Sequence, residues 1–501
     1  MRHLGLALAL MSSACSFRVA GDNGGGAGDL SMSDVDLGGG GGAGGGGGGG
    51  GGADLATGND LAGLPIVCTA GTSSCAGSTL VTCPDGTAQM MTTCSLGCSM
   101  MGGAHCEEMY PRAPVSRSDF DTTNLTPVNV TAGGGISTET GLIGGGPNPI
   151  RHQNMDPNAY EVHDGIGFHV VAIPGQTGKM GIYTFKSLTL AQGQSLNAYG
   201  NNALALVSAG DMTISGVVDV TCAGNVFLAG GGPNAKPYLA GPGGGAGGQP
   251  GATNSGVSVG NKGGGSGADN THQGGGGGGA YGDAGGNGGA EGNNLGGAGG
   301  MAYGDAMLMM LVGGSGGGAG GQGGSANGSF GGGGGGVALL VAQGTLTLGN
   351  TTGAVGGVNA GGCGGTADTM VGGGGGGAGG AILLQALSVH IAAMGGAGAN
   401  GGGGSAANAM ASANTNGKSG AISTTAASGG AGGSAAGGAG GVASATAGTT
   451  AGQPGVDSGN SGGGGGGAVG RIRIESQSGA ATVDANGIVS PAASQGTVDI
   501  H

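Results

Sequence analysis

The sequence predicts an all-β protein: a parallel β-helix-like stack of short strands carrying long glycine-rich insertions, with a small disulfide-rich module ahead of it. Three observations predict this. Runs of six glycines recur at Gly331–Gly336, Gly372–Gly377 and Gly462–Gly467, and each run leads into an apolar segment, Val337–Leu348, Ala381–Ile391 and Arg471–Ile474. Those segments line up with one another and with an earlier one: Leu204–Ile214 with Leu339–Leu348 and with Leu383–Ile391. Ahead of them, Cys68, Cys75, Cys83, Cys94, Cys98 and Cys106 crowd into one short stretch.

Composition narrows the class. Of 501 residues, 142 are glycine, none is tryptophan and only 8% are charged. Ordering a residue costs roughly 1–2 kcal/mol of backbone entropy, and glycine has no side chain to offset it. An ordinary globular core of this length is therefore not expected, and the larger apolar residues in a few segments should hold the ordered core. A net charge of −14, with only 12 scattered Lys and Arg, argues against nucleic acid as a partner.

The N-terminus reads as an export signal over residues 1–14. Arg2 and His3 precede Leu4–Met11, then the small residues Ser12-Ser13-Ala14 stand before Cys15. Eight apolar residues are too few for a membrane-spanning anchor. Cys15 stands where a bacterial lipobox places its lipidated cysteine, with Ser12 at the position where leucine is usual. Residues 15–65, with the unbroken run Gly44–Gly52, read as a flexible lipid-anchored tether.

Residues 66–108 read as the disulfide module, since an even number of cysteines in a short exported segment forms a bridged framework. The order of pairing stays open. A zinc reading using Cys94, Cys98, His105 and Cys106 competes, but Cys-x3-Cys is a loose spacing and export favours oxidation. Leu80–Thr82 and Pro84–Gly86 read as a strand and its turn.

Residues 109–501 read as the repeat domain. Tyr183–Leu190, Ala203–Val207, Met212–Ile214 and Val217–Val220 are short strands separated by Ala-Gly and Ser-Gly turns. A third strand in each repeat ends in a polar residue, at Val218-Asp219, Val358-Asn359 and Val483-Asp484. Asp219, Asn359 and Asp484 are thus expected in one column, as a polar ladder bonding turn backbones, with a cation- or sugar-binding carboxylate cluster as the alternative. The glycine runs start at 331, 372 and 462, an uneven spacing that fits loops thrown outward from one edge of a regular stack. Within them, Gly285–Ala290, Gly316–Gly324 and Gly429–Gly433 keep a period near three, the repeat of polyproline II, so the insertions are either polyproline-II-like or disordered. Cys222 and Cys363 each follow a third-strand valine; they bridge if those coils are neighbours and are free thiols otherwise.

Other motifs resolve toward structure. Arg471 and Arg473 share a strand face that Glu475 continues, which reads as a salt-linked, solvated terminal strand. Gly264–Asp269 resembles part of a calcium-binding nonapeptide, but it occurs once and Thr271 stands where an apolar residue is wanted. No glycine run opens a helix, and Lys262 precedes its glycine instead of following a run, so no nucleotide site is expected. His163 and His169 flank Asp164 in the densest polar cluster, a metal pair only if a third ligand joins them. No catalytic constellation, cofactor site or metal site is expected.

On the cysteine cassette Cys68–Cys106, the lipobox-like start and the segments Gly372–Ile391 and Gly462–Ile474, the chain resembles glycine-rich predicted surface lipoproteins of myxobacteria. Its Gly-Gly-Ala triplets are similar in composition alone to mycobacterial PE-PGRS proteins, whose helical N-terminal domain it lacks. The expectation is a non-enzymatic cell-surface lipoprotein of the outer membrane, or a secreted one. It would be held by an N-terminal lipid and would contact matrix, polysaccharide or envelope protein. A carbohydrate-active β-helix enzyme is the alternative if Asp219, Asp484 and a basic residue converge in a groove. A glycine-helix bundle binding ice or a polymer is a third, and it requires Thr or Ala columns that the dispersed threonines do not form.

Overall fold

The computed structural model describes residues 68–94, 96–222, 239–250, 265, 272–322, 329–410, 412, 414–438, 455–456 and 460–501. The export signal, Cys15, the tether, Lys262 and nearly all of the calcium-like nonapeptide lie outside the described residues. Residues Ile66–His501 form one compact unit.

The six-cysteine segment begins with an antiparallel meander of β1 (Thr72–Ala76), β2 (Thr79–Cys83) and β3 (Met90–Thr93), followed by the small pair β4 (Cys98–Ser99) and β5 (His105–Cys106). Its strands are largely exposed, so little apolar area is buried. Bridges Cys68–Cys83, Cys75–Cys98 and Cys94–Cys106 supply the constraint that a core of this size cannot. β6 (Met109–Tyr110) then pairs with the last strand of the chain, β25 (Asp499–Ile500).

From residue 127 the chain builds two parallel sheets, whose strand order largely follows the sequence. The elements are β7 (Pro127–Val130), β8 (Gly134–Ser137), β9 (Glu161–His163), β10 (Ile166–Ala172), β11 (Lys179–Phe185), β12 (Ser187–Leu190) and β13 (Ser195–Tyr199). They continue as β14 (Ala203–Ser208), β15 (Met212–Ile214), β16 (Val217–Asp219), β17 (Val337–Leu348), β18 (Gly356–Asn359), β19 (Ala381–Ile391) and β20 (Gly395–Gly398). The last are β21 (Arg471–Ser476), β22 (Thr482–Val483), β23 (Ile488–Ser490) and β24 (Ser494–Thr497). The first sheet runs β11-β14-β17-β19-β21-β24, with β10 and β9 added antiparallel at its other edge. The second runs β8-β13-β16-β18-β20-β23.

Register places like on like. Val130, Leu190, Ile214, Leu348, Ile391 and Val483 form one column. Leu206, Leu340, Leu384 and Ile474 form a second, and Leu196, Val218, Val358, Ala397 and Val489 a third, on the other sheet. Most of these side chains fill one shared core between the sheets. The opposite face of the first sheet is covered as well. Ala205, Val207, Leu339, Val341 and Leu383 pack beneath Tyr281, Leu308, Leu311, Val115 and Phe120. Burial on both faces is why Val337–Ala342 is a continuous apolar run with no polar alternation. One pairing differs from the sequence alignment: Leu204 sits beside Ala338, and it is Ala205 that meets Leu339. A bulge between Ala342 and Thr345, where β17 meets β19, absorbs a one-residue difference in rung length.

The glycine insertions do extend away from the strands, but they are not loose loops as outward looping suggests: they are buried and hydrogen-bonded to one another through the backbone. Segment 372–380 is bonded on all sides. Its N–H groups 372, 375 and 378 donate to the carbonyls of 321, 318 and 315. Those of 373, 376 and 379 donate to 462, 465 and 468, and those of 374, 377 and 380 to 366, 363 and 360. These nine bonds measure 2.7–3.3 Å. Its carbonyls accept in turn from segments 276–279, 332–335 and 402–405. Every third residue faces the same neighbour, so each turn of three residues faces three donors' partners and three acceptors' partners. That three-residue period is the one a polyproline II helix has, and six other segments surround this one.

Glycine is required here sterically. A Cβ on Gly376 would lie 2.1 Å from the Gly402 carbonyl oxygen, and one on Gly467 2.0 Å from that of Gly377. The Cα–H groups point at neighbouring carbonyls, and the helices approach closely enough for Cα–H···O contacts to add to the N–H···O bonds. Most of the other residues that enter are small. Ser405 accepts a bond from the Gly374 N–H at 2.8 Å through its own hydroxyl.

Each buried helix continues directly into a strand: 331–336 into β17, 372–380 into β19, 462–470 into β21. The helices at 360–366 and 399–405 leave directly from β18 and β20. The insertions are therefore the outward and returning arms of the same rungs.

Cys222, just past β16, is bridged to Cys363 in the 360–366 helix, across a separation of 141 residues. The bridge ties two successive rungs. Replacing both cysteines by serine is expected to lower stability by about 2–4 kcal/mol, because the closed loop is long. Equilibrium denaturation of the double variant checks this, and an unchanged midpoint would mean the rungs are held without it.

Candidate functional site

Side chains capable of chemistry gather in four places, and geometry assigns each a role. The first is the expected ladder. Asp219 and Asn359 are paired in register, with Asn197 on the other side of Asp219. Asp219 Oδ1 accepts the Thr221 N–H at 2.9 Å and Asn359 Oδ1 accepts the Gly361 N–H at 3.3 Å. Burial pushes the Asp219 carboxyl up, and the Thr221 bond opposes that. Asp484 does not belong to this column. The chain inserts β22 before returning to the second sheet, so Val483 pairs with Ile391 and the residue at the ladder level is Ser490. Asp484 lies instead 3.1 Å from His390 Nε2. The carboxylates named for a sugar-cleaving groove thus stand on different sheets.

The second place is the terminal strand. Glu475 is buried, not solvated, and this corrects the reading of that strand. Its Oε1 lies 2.7 Å from Arg112 Nη2 and 2.8 Å from Arg473 Nε, and its Oε2 accepts from Gln385 Nε2 at 2.6 Å. Gln385 Oε1 accepts the Arg112 N–H at 3.1 Å, and Arg473 also donates to the Gln495 carbonyl. Arg471 is turned elsewhere, donating to the Gly282 carbonyl. The network pins the segment after the cysteine module onto the last rungs.

The third place is the cap formed by residues 137–169. Arg151 is wholly buried and donates to the carbonyls of Ile166, Gly141, His152 and Glu161. Burial holds its guanidinium down at about 10. His163 Nε2 lies 2.8 Å from Glu161 Oε2, and His169 Nε2 lies 2.9 Å from Asp119 Oδ1. Each histidine meets its own carboxylate, so the pair is not brought to a common centre. Among the described residues no group of three metal-ligating side chains is present.

His163, with the N–H groups of Asp156 and Met155, holds the Glu161 carboxyl at about 2, below its ordinary 4.5. A depressed carboxyl contributes stability at higher pH and loses it as pH falls from about 4.5 to about 2. Carbon-detected NMR titration is expected to show Glu161 inflecting near 2, and moving toward the ordinary value in His163→Ala. Titration at the ordinary value in the parent would contradict the geometry.

The fourth place is the end of the glycine bundle away from the sheets. Turns there are fixed by short polar side chains: Met370 N–H donates to Asn408 Oδ1, Ala367 N–H to Asn416 Oδ1, and Gln273 N–H to Glu291 Oε2. Met370 and Asn408 both adopt positive φ. The turns hold Leu295, Met370 and Met410 out in solvent at 85%, 66% and 76% exposure. The sequence gives no local sign of these residues, because each stands in a short turn with no periodic apolar pattern around it. Their exposure follows only from the helices that carry them.

Among the described residues no helix is long and apolar enough to cross a membrane. No family model, curated protein or solved structure matches this chain.

Proposed function

We propose that the protein is a structural or adhesion lipoprotein of the bacterial cell surface, anchored through Cys15 and acting by display. In this reading the two sheets are successive coils of a parallel β-helix, on the strength of their sequential strand order and stacked columns. The observation that carries the function is the buried, hydrogen-bonded glycine bundle, whose far turns present Leu295, Met370 and Met410 to solvent. Large apolar side chains held on fixed turns are suited to contact with matrix, polysaccharide or envelope protein. The leader and Cys15 support export and anchoring, and the four bridges suit an oxidising compartment.

Two variants test it in producing cells. Cys15→Ala is expected to move the protein from the membrane fraction to the medium. The triple variant Leu295→Ser, Met370→Ser, Met410→Ser is expected to keep the melting temperature and surface level but to abolish most adhesion to a matrix-coated surface. Retention of Cys15→Ala in the membrane fraction contradicts the anchor. Full adhesion by the triple variant contradicts display by these turns.

A further inference from the structure

Two clefts meet beside the loop 173–178, next to the sheets and away from the bundle's far turns. The larger, about 480 Å³, is within the usual range for small-molecule sites. The smaller, about 240 Å³, shares Ile173, Gln176 and Leu311 with it. We propose that the larger cleft binds a sugar unit bearing a carboxylate, such as a uronic acid residue of a polysaccharide.

Its walls divide by chemistry. Ile173, Leu311 and Tyr303 give an apolar side. Tyr303 is held in place: its hydroxyl donates to the Gly313 carbonyl at 2.6 Å and its ring meets Tyr281 at a centroid distance of 5.1 Å. A fixed aromatic and aliphatic wall suits the C–H face of a pyranose. The polar side is left unanswered by the protein. Gln176 Oε1 is shielded from water and has no donor. Asn201 Nδ2 donates one of its hydrogens to Glu139 Oε1 at 2.8 Å, and its side-chain oxygen Oδ1 is left to accept. Lys179 has no ion-pair partner among the described residues.

These groups ask for hydroxyl donors on one side and an anion on the other. An apolar ligand would bury the Gln176 acceptor unpaired. Gly243 and Gly244 spend their N–H groups on the Asn201 and Gly241 carbonyls, so that wall offers an anion no backbone donors, and Lys179 is the one cationic side chain of the lining. A carboxylated sugar meets both demands, with hydroxyls at Gln176 and Asn201 and its carboxylate at Lys179. Met310, half exposed, stands at the lining as an adaptable edge. This inference does not rest on the display reading, because the cleft lies at the opposite end of the bundle.

The test is calorimetric titration of the full mature chain with digalacturonate and, separately, with neutral galactobiose. Saturable one-to-one binding is expected, at least tenfold tighter for the acid. Lys179→Ala should weaken the acid about tenfold and leave the neutral sugar unchanged, while Gln176→Ala should weaken both. Lys179 is exposed at the start of β11 and Gln176 is half-buried in the loop, and unchanged melting temperatures verify folding. No saturable binding of either sugar at millimolar concentration overturns the proposal. So does equal affinity for the two sugars, or binding that neither variant changes.

Discussion

Gly376→Ala is expected to cost about 3 kcal/mol or more of stability, although it adds one methyl group. The new Cβ would sit 2.1 Å from the Gly402 carbonyl oxygen and 2.8 Å from that of Gly403. Neither oxygen has freedom to retreat. Gly402 lies in a helix whose own N–H is bonded to Gly377, and Gly376 is itself bonded to Gly465 and accepts from Gly279. Overpacking a core usually costs about 1–3 kcal/mol when side chains yield. Here the obstacle is backbone, so the helix must shift and lose bonds to several neighbours together. Gly145→Ala is the matched control, because nothing lies within 4 Å of its Cβ and its φ is not positive. That variant should fall within about 0.5 kcal/mol of the parent. Equilibrium denaturation of the two variants checks the difference. Equal stability would mean that segment 372–380 is not packed among its six neighbours.

Glu475→Ala is expected to lose about 3–5 kcal/mol. The buried carboxylate faces Arg112 and Arg473 at 2.7 and 2.8 Å and accepts from Gln385. Removing it leaves two guanidinium groups beside each other, one of them buried, with no counter-charge. Glu475→Gln keeps the shape and removes the charge, so it should be intermediate. Because Arg112 ties the start of the repeat region to its last rungs, limited proteolysis near residues 108–116 should also accelerate in Glu475→Ala. A stability loss with no change in cleavage there would place the effect in β21 alone.

Much of the strand architecture is legible in the sequence, because large apolar residues recur at matching positions after each glycine run. Ile214, Leu348 and Ile391 fall at matching positions in the sequence and are register partners. The sequence misplaces Asp484 for a physical reason: a valine followed by an acidic residue looks alike on either sheet, and only β22 decides which one it joins. The burial of Glu475 was not legible either, since its partner Arg112 is distant in sequence and pairs with it only once the chain closes on itself. The glycine segments hold the largest gap. Their period of three is visible, but glycine has no side chain to name its neighbours. The six helices around 372–380 come from residues as far apart as 276 and 465. The cleft residues Gln176, Lys179 and Tyr303 carry no motif, and converge only because loop 173–178 meets the segment ending at Val312.

Amide hydrogen exchange read by mass spectrometry tests the central claim most directly. Peptides covering 331–336, 372–380 and 462–470 should exchange as slowly as those covering β17 and β19, because most of their N–H groups are bonded inside a buried lattice. Exchange of those glycine peptides at the rate of an unstructured chain, beside protected strands, would mean that glycine only connects the rungs and does not form a core of its own.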